Sequence, residues 1–222
     1  MVGLAGVVKA SVNLTTNRQL REDRARIMGL EFARLFDELQ DEYEWLHYKW
    51  SQFEEFFGQG PERIDLLNAS ASNFFYFLKK LLFEDAMLHL SRLTDPPASM
   101  GRTNLTIMRL PECIADPHFR AALQARVDTI KANCVFANSW RNKRLAHTDL
   151  STARRECAAL PTVDANQIKS ATESVRLLLA SVDEHCGFPV IALLSDPWGA
   201  TSLIHHLEQA IQAMNEQQGH PL

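Results

Sequence analysis

A short stretch in the second half of the chain combines residue types that suit chemistry on a phosphate group. Arg141, Lys143 and Arg144 supply cations, Asn142 supplies an amide and His147 supplies an imidazole. A guanidinium stays charged at any working pH and donates paired hydrogen bonds to phosphate oxygens, whereas an imidazole gains or loses a proton near neutral pH. The combination indicates proton transfer beside a bound phosphodiester.

The same stretch is more basic than the rest of the chain. Between residues 138 and 155, five lysines and arginines stand against one aspartate, whereas the whole chain carries a net charge of −4. Such a local excess is the electrostatic footprint of a surface that binds a polyanion. A helix end that carries cations for its dipole would show the same excess, and the sequence leaves both interpretations open.

Length and composition are typical of one soluble globular domain. The chain has 222 residues, of which 46% are hydrophobic and 23% charged. We expect a flexible arm at 1–16, a single helical domain at 17–216 and a tail at 217–222. The apolar beginning is too short to span a bilayer, so no membrane partner is expected. The four cysteines form no Cys-x-x-Cys pair, which favours reduced thiols in the cytoplasm.

Apolar residues recur at helical spacing along the chain, which predicts an all-α fold. Short connections favour an antiparallel bundle of about five helices, of which the first three are long. Ile27 and Leu30 in the first helix, and Phe74 and Leu81 in the second, are assigned to the core face, with Asp37 on the opposite face. The helices are predicted at about 17–57, 61–93, 117 to the basic stretch, 164–186 and 199–215.

Two segments of the chain together resemble the HEPN superfamily. One segment reads RNKRLAH at 141–147 and is similar to that superfamily's pattern of Arg, a polar residue and a His a few positions later. The other reads LSRLTDP at 90–96 and is followed by GRTNLT at 101–106. In this order the segments resemble the AbiU-like branch, which is associated with abortive infection against phage. By helix order, the likeness covers residues 31–207.

The resemblance implies a helical homodimer that, in active members, cuts RNA without a metal or other cofactor. It implies Arg141 as the clamp on the phosphate, Asn142 as a polar residue that orients the site and His147 as the general acid and base. Attack by the RNA 2′-hydroxyl needs a base, an acid and positive donors, and one imidazole takes one proton role at a time. Two protomers would therefore complete the site.

Two functions of different class follow from these features. The first is a metal-independent endoribonuclease of a phage-defence or toxin type, with RNA bound at the basic stretch. The second is a catalytically silent HEPN-like dimer that binds RNA or a protein. The resemblance also leaves open an antitoxin or another regulatory protein as a further partner.

The spacing of the basic stretch leaves the division of roles open. In an uninterrupted helix, steps of about 100° per residue would place Arg141 and His147 about 120° apart, whereas Arg144 and His147 would share a face. Either the helix breaks, or Arg144 becomes the phosphate ligand. Lys143 would extend the contact with RNA in either case.

The remaining polar residues support weaker interpretations. Arg92 and Asp95 either cap and pair locally or form an outer shell that steers Arg141 or His147. Glu84 and Asp85 either orient an imidazole or face solvent. His89 is close enough in sequence to Arg92 to reach the site, or it is a packed or surface residue. No metal site is expected, because the adjacent histidines at 205 and 206 diverge by about 100° on a helix.

Overall fold

The computed structural model describes residues 18–142, 162–189, 199–217 and 219. The predicted arm at 1–16 lies outside the described residues. The described part of the chain is mostly helical, and its strands form one small two-stranded hairpin, which confirms the all-α prediction. The helices are α1 (residues 18–28), α2 (Leu30–Phe57), α3 (Pro61–Leu93), α4 (Pro117–Asn133), α5 (Val135–Trp140), α6 (Ala165–His185) and α7 (Ala200–Gln217); the strands are β1 (Ala98–Ser99) and β2 (Arg102–Thr103), and single 3-10 turns occupy Ile107–Arg109 and Pro111–Cys113.

Several helix starts follow from local capping chemistry. Helix α3 begins with Pro61 directly after Gly60, whose φ of 102° turns the chain between α2 and α3. At the start of α4 the Asp116 side chain accepts a hydrogen bond from a backbone N–H two residues later, at 2.9 Å. Asp164 forms a complete capping box at the start of α6. These starts agree with the sequence prediction.

The first predicted helix is two helices. Gly29 has a φ of 84° and separates α1 from α2, so the prediction of one helix over 17–57 was wrong. The chain therefore changes direction within a segment that the apolar spacing predicted to be one helix. Ile27 and Leu30, which flank the break, are exposed rather than buried.

A buried ion cluster holds α1 against the bundle. The Arg24 guanidinium donates to Asp37 on α2 at 2.8 Å and to both carboxylate oxygens of Asp183 on α6 at 2.7 and 2.9 Å. Gln40 also donates to Asp183, at 2.9 Å. The assignment of Asp37 to the solvent face was wrong, because an arginine from another helix makes its burial possible.

Helices α2 and α3 form an antiparallel pair at the centre of the fold. Cross-helix contacts join Glu42 to Arg92, Lys49 to Asp85 and Glu55 to Arg63, so the residue numbers rise on one helix as they fall on the other. Helix α6 packs its apolar stripe onto this pair, and α4 packs against α6. The main core includes Phe36, Leu39, Leu46, Met87, Leu90, Leu93, Leu123, Val127, Ile168, Val175 and Leu178.

Helix α3 is kinked at Ala71, where φ is −161° and ψ is 70°. Beyond the kink Phe75 turns inward, into a small core formed with α7, while Phe74 and Leu81 are exposed. The assignment of Phe74 and Leu81 to the core was wrong, because the kink changes the helical register that the apolar spacing assumed. Among the described residues, no helix combines the length and the apolar character that crossing a membrane requires.

Candidate functional site

Helix α5 is packed against the second half of α3. Ser91 Oγ on α3 donates a hydrogen bond to Asn138 Oδ1 on α5 at 2.8 Å. Two turns earlier on α3, the ring of Phe83 meets that of Trp140 edge to face, with centroids 5.3 Å apart. These contacts hold α5 along the second half of α3, and Arg141 then reaches Asp95 just beyond the end of α3. The two segments that carry the family resemblance therefore meet here.

Arg141 lies at this meeting point and is held by two side chains. Its Nη1 donates to Asp95 Oδ1, and its Nε donates to Asn142 Oδ1 at 3.1 Å. The side chains of Arg141 and Asp95 are 26% and 19% exposed, so the ion pair is largely shielded from water. Among the described residues, no acceptor is bonded to Nη2. Two of the guanidinium nitrogens are thus fixed, and the third, Nη2, is able to donate hydrogen bonds to a phosphate oxygen.

Buried hydrogen bonds hold the backbone around Asp95 in place. The hydroxyl of Thr106 is fully buried and shares its one proton between the carbonyl oxygens of Leu93 at 3.0 Å and Asp95 at 2.8 Å. The Asp95 N–H in turn donates to the carbonyl oxygen of Arg92 at 3.2 Å. Because these groups sit away from water, breaking them would leave buried polar atoms unpaired. The backbone that carries the Asp95 carboxylate is therefore held in place.

The helix that leads to Arg141 is not continuous. Helix α4 ends at Asn133, Cys134 forms a turn, and α5 starts at Val135. Residues 141 and 142 then continue as a wider π turn. The predicted single helix from residue 117 to the basic stretch was therefore wrong. A π turn is common at functional sites because it changes the direction in which successive side chains point.

Arg92 points away from Arg141, toward α2. Its Nε and Nη2 donate to Glu42 Oε1 at 2.9 and 2.7 Å, and its side chain is half exposed. Its Nη2 also lies 3.2 Å from Nδ1 of His89. Within the described residues, Asp95 is thus paired with Arg141, whereas Arg92 belongs to a neighbouring cluster.

That cluster is centred on the buried imidazole of His89. Nδ1 lies 2.7 Å from Glu42 Oε1, and Nε2 lies 3.3 Å from Asp85 Oδ2. Lys49 Nζ is 2.7 Å from Asp85 Oδ2 and 3.0 Å from His89 Nε2. With Arg92, these residues form an ion network between α2 and α3, one turn before Asp95.

The network shifts the pKa values of its members in opposite directions. Burial lowers the pKa of His89, but the hydrogen bonds with Asp85 and Glu42 outweigh burial and raise it overall. The His89 hydrogen bond is the largest cause that lowers the pKa of Asp85, to about 2. For Glu42, burial raises the pKa, but hydrogen bonds from His89 and Arg92 outweigh it and lower the pKa. The cluster therefore favours a charged imidazole between two carboxylates.

Sequence reasoning considered Asp85 and His89 separately and missed the network. A signal was present, because Asp85, His89 and Arg92 follow one another at steps of four and three residues and so share a helix face. The partners on α2, Glu42 and Lys49, lie on a helix whose apolar pattern does not indicate which residue on α3 each one faces. Their pairing depends on the tertiary packing of the two helices.

Three residues assigned to the site from sequence, Lys143, Arg144 and His147, lie outside the described residues. Their roles, and the convergence of His147 with Arg141, stay predictions. The described residues contain no group of three or more His, Cys, Asp or Glu side chains placed to hold a metal ion.

Comparison with known proteins identifies a family for the chain. A family model described as AbiU2, of the HEPN type, matches residues 29–189. The matched region contains both Asp95 and Arg141, together with helices α2 to α6. The comparisons with curated proteins and with solved structures found no match.

Proposed function

The chain belongs to the AbiU2 family of HEPN proteins, and we propose that it is a metal-independent endoribonuclease of a phage-defence or toxin type. The observation that carries the proposal is the fixed guanidinium of Arg141. Asp95 and Asn142 hold two of its edges, and no described residue accepts a hydrogen bond from Nη2. A shielded, oriented cation of this kind stabilises the charge that develops on phosphate oxygens during cleavage. As a protein that acts on RNA, it is proposed to work in the cytoplasm.

The proposed reaction uses the RNA's own 2′-hydroxyl as nucleophile. An imidazole takes the hydroxyl proton, the oxygen attacks the adjacent phosphorus, and the bond to the 5′-oxygen of the next nucleotide breaks as that oxygen gains a proton. The products are a 2′,3′-cyclic phosphate and a free 5′-hydroxyl. We assign the proton transfers to His147 and the binding of the phosphate to Arg141. Asn142 and Asp95 act as positioning residues, and Lys143 and Arg144 bind the RNA backbone.

A homodimer is part of the proposal, because the reaction needs an acid and a base at the same time. An exposed apolar face on α3 supports a second copy as its occupant. Phe74, Phe77 and Leu81 are 56%, 57% and 46% exposed and lie within about 60° of one another around the helix. Three large side chains that are about half exposed present roughly 300 Å² of apolar surface, which suits the centre of a protein interface.

The exposed face lies at the same height along α3 as the contact with α5. Leu81 is two residues before Phe83, which packs against Trp140, the residue before Arg141, but the two side chains lie about 160° apart around the helix. A second copy seated on Phe77 and Leu81 would therefore need to extend around α3 to reach the segment that carries the basic stretch. That extension would bring two copies of His147 to one RNA strand.

Cleavage of labelled RNA in excess chelator tests the proposal. We expect purified wild-type protein to cut RNA, and His147→Ala to lose the activity because the proton transfers stop. His118→Ala is the matched control, because His118 is an exposed histidine on α4. Equal cleavage by wild type and His147→Ala would indicate a contaminating nuclease and overturn the assignment. RNA binding by the wild type without cleavage would instead favour the silent binding module.

A further inference from the structure

The hairpin at residues 98–103 carries an exposed methionine in an unfavourable backbone conformation. Met100 is fully exposed and has a φ of 50°, and Gly101 follows with a φ of 76°. A turn with positive φ at both central residues normally takes Asn or Gly at the first of them, because a side chain crowds the backbone there. Met100 buries none of its side chain, so no packing offsets the unfavourable backbone conformation. Residues in such conformations concentrate at ligand-binding positions.

The hairpin is tied firmly to the backbone next to Asp95. Asn104 donates from its side chain to the carbonyl oxygen of Pro96 at 2.8 Å and to Ser99 Oγ at 3.0 Å. The buried hydroxyl of Thr106 closes the base of the hairpin by donating to the carbonyl oxygen of Asp95. Asp95 in turn holds Arg141, so the hairpin and the candidate phosphate ligand share one anchor. Five residues separate Asp95 from the tip, which limits their Cα separation to about 17 Å.

An exposed arginine stands beside the methionine. Arg102 pairs with Ser99 in the strand register and follows Gly101 directly. In the part of the chain that the structure describes, Arg102 forms no ion pair. The hairpin therefore presents a polarisable thioether and an uncompensated guanidinium to solvent, at a fixed place near Arg141.

These two groups match the chemistry of single-stranded RNA. An unstacked base offers a flat apolar face, and the backbone offers a phosphate on each nucleotide. A methionine thioether makes favourable contacts with aromatic rings, and a guanidinium binds phosphate oxygens. RNA is favoured over a protein partner because the hairpin and the candidate phosphate ligand Arg141 share the anchor at Asp95.

We propose that the hairpin binds single-stranded RNA beside the phosphate held by Arg141, with Met100 against a base and Arg102 on a backbone phosphate. The inference rests on the proposed function and deepens it, because it makes the hairpin the element that selects unpaired nucleotides next to the cleaved bond. Base contact by Met100 also makes this residue a determinant of sequence preference.

The test measures the binding of an RNA that the protein is unable to cut. The probe is a fluorescent oligonucleotide with every 2′-hydroxyl methylated, followed by anisotropy with the full-length protein. Met100→Gly should raise Kd about twofold to tenfold. Arg102→Gln should raise Kd about fivefold at about 0.1 M salt and lower the slope of log K against log salt by about 0.7. The matched control is Arg126→Gln, which removes an exposed arginine from α4.

Met100→Gly separates binding from folding, since glycine adopts a positive φ without crowding. Its thermal midpoint should stay at or above that of the wild type while its RNA affinity falls. Wild-type affinity in both hairpin variants would overturn the role of the hairpin, and cleavage by the wild type would leave the proposed function standing. Hairpin-dependent binding by a wild type that never cleaves would overturn the ribonuclease and keep the hairpin. A wild type that neither binds nor cleaves RNA would overturn both.

Discussion

Replacing Asp95 with asparagine tests how the candidate site holds its arginine. The Asp95 carboxylate accepts a hydrogen bond from Arg141 Nη1 across 46 positions of sequence. Asparagine keeps a carbonyl oxygen at the same place but removes the negative charge. Alanine at position 95 removes the acceptor altogether. The two variants thus separate charge from geometry.

The size of the stability effect follows from the exposure of the pair. Side chains that are 19% and 26% exposed lie between a surface ion pair, worth about 0–1 kcal/mol, and a buried one, whose disruption costs about 3–5 kcal/mol. We therefore expect Asp95→Asn to lose about 1–2 kcal/mol of unfolding free energy. For a chain of this length, that corresponds to a fall in Tm of about 2–8 °C.

The effect on cleavage should be larger than the effect on folding. A guanidinium released on one edge meets the phosphate in many orientations, and a loss of position of about 1 Å lowers reaction rates up to about a hundredfold. We expect the single-turnover rate to fall about tenfold to a hundredfold in Asp95→Ala and by less in Asp95→Asn. Both rates are measured at temperatures where the variants stay folded.

The matched control is Asp65→Asn, which removes the same charge from an exposed position on α3. A cleavage rate in Asp95→Ala equal to that of the wild type would refute the positioning role. Tighter RNA binding and faster cleavage in Asp95→Asn would also refute it, because that result would mean that the carboxylate competes with the phosphate for Arg141.

Three further predictions concern assembly and stability. Phe77→Glu should shift the protein from dimer to monomer in analytical ultracentrifugation, whereas Tyr76→Glu, about 100° away around α3, should not; an unchanged dimer would place the interface elsewhere. Because the folded pKa of His89 is raised, its stabilisation is complete below the unfolded value of about 6.5 and disappears as the pH rises through the folded pKa. The unfolding free energy of the wild type should therefore fall across that window, and an equally steep fall in His89→Gln would contradict the assignment. Arg24→Met should cost about 3–5 kcal/mol in denaturant unfolding because it leaves two buried carboxylates unpaired, and a loss no greater than that of the exposed control Arg26→Met would contradict the buried cluster.

Much of the fold was predictable because helix ends carry local signals. Proline at position 61, Asp116 with its following proline, and the Asp164 capping box each act within a few residues of the chain. The break at Gly29 and the kink at Ala71 were missed. A single glycine is often tolerated inside a helix, and alanine is the best helix former, so neither residue signals an interruption on its own.

The candidate site was only partly predictable, because its decisive contacts cross large distances in sequence. Arg141 was singled out by its residue type and basic surroundings and Asp95 through family resemblance, yet their pairing depends on how α5 packs on α3. The network around His89 joins α2 to α3 in the same way. Tertiary packing also explains the burial of Asp37, since its partner Arg24 comes from the far side of the Gly29 break.

The identity of the attacking group is the most direct test of the proposed ribonuclease. The measurement compares two oligonucleotides in excess chelator, one entirely RNA and one with a single 2′-deoxynucleotide at the preferred cleavage position. We predict that the wild type cuts the first to leave a 2′,3′-cyclic phosphate, that the deoxynucleotide blocks cleavage at its own position, and that Arg141→Ala and His147→Ala are both inactive. Cleavage at the deoxynucleotide at an undiminished rate would contradict attack by the 2′-hydroxyl and the roles assigned to both residues.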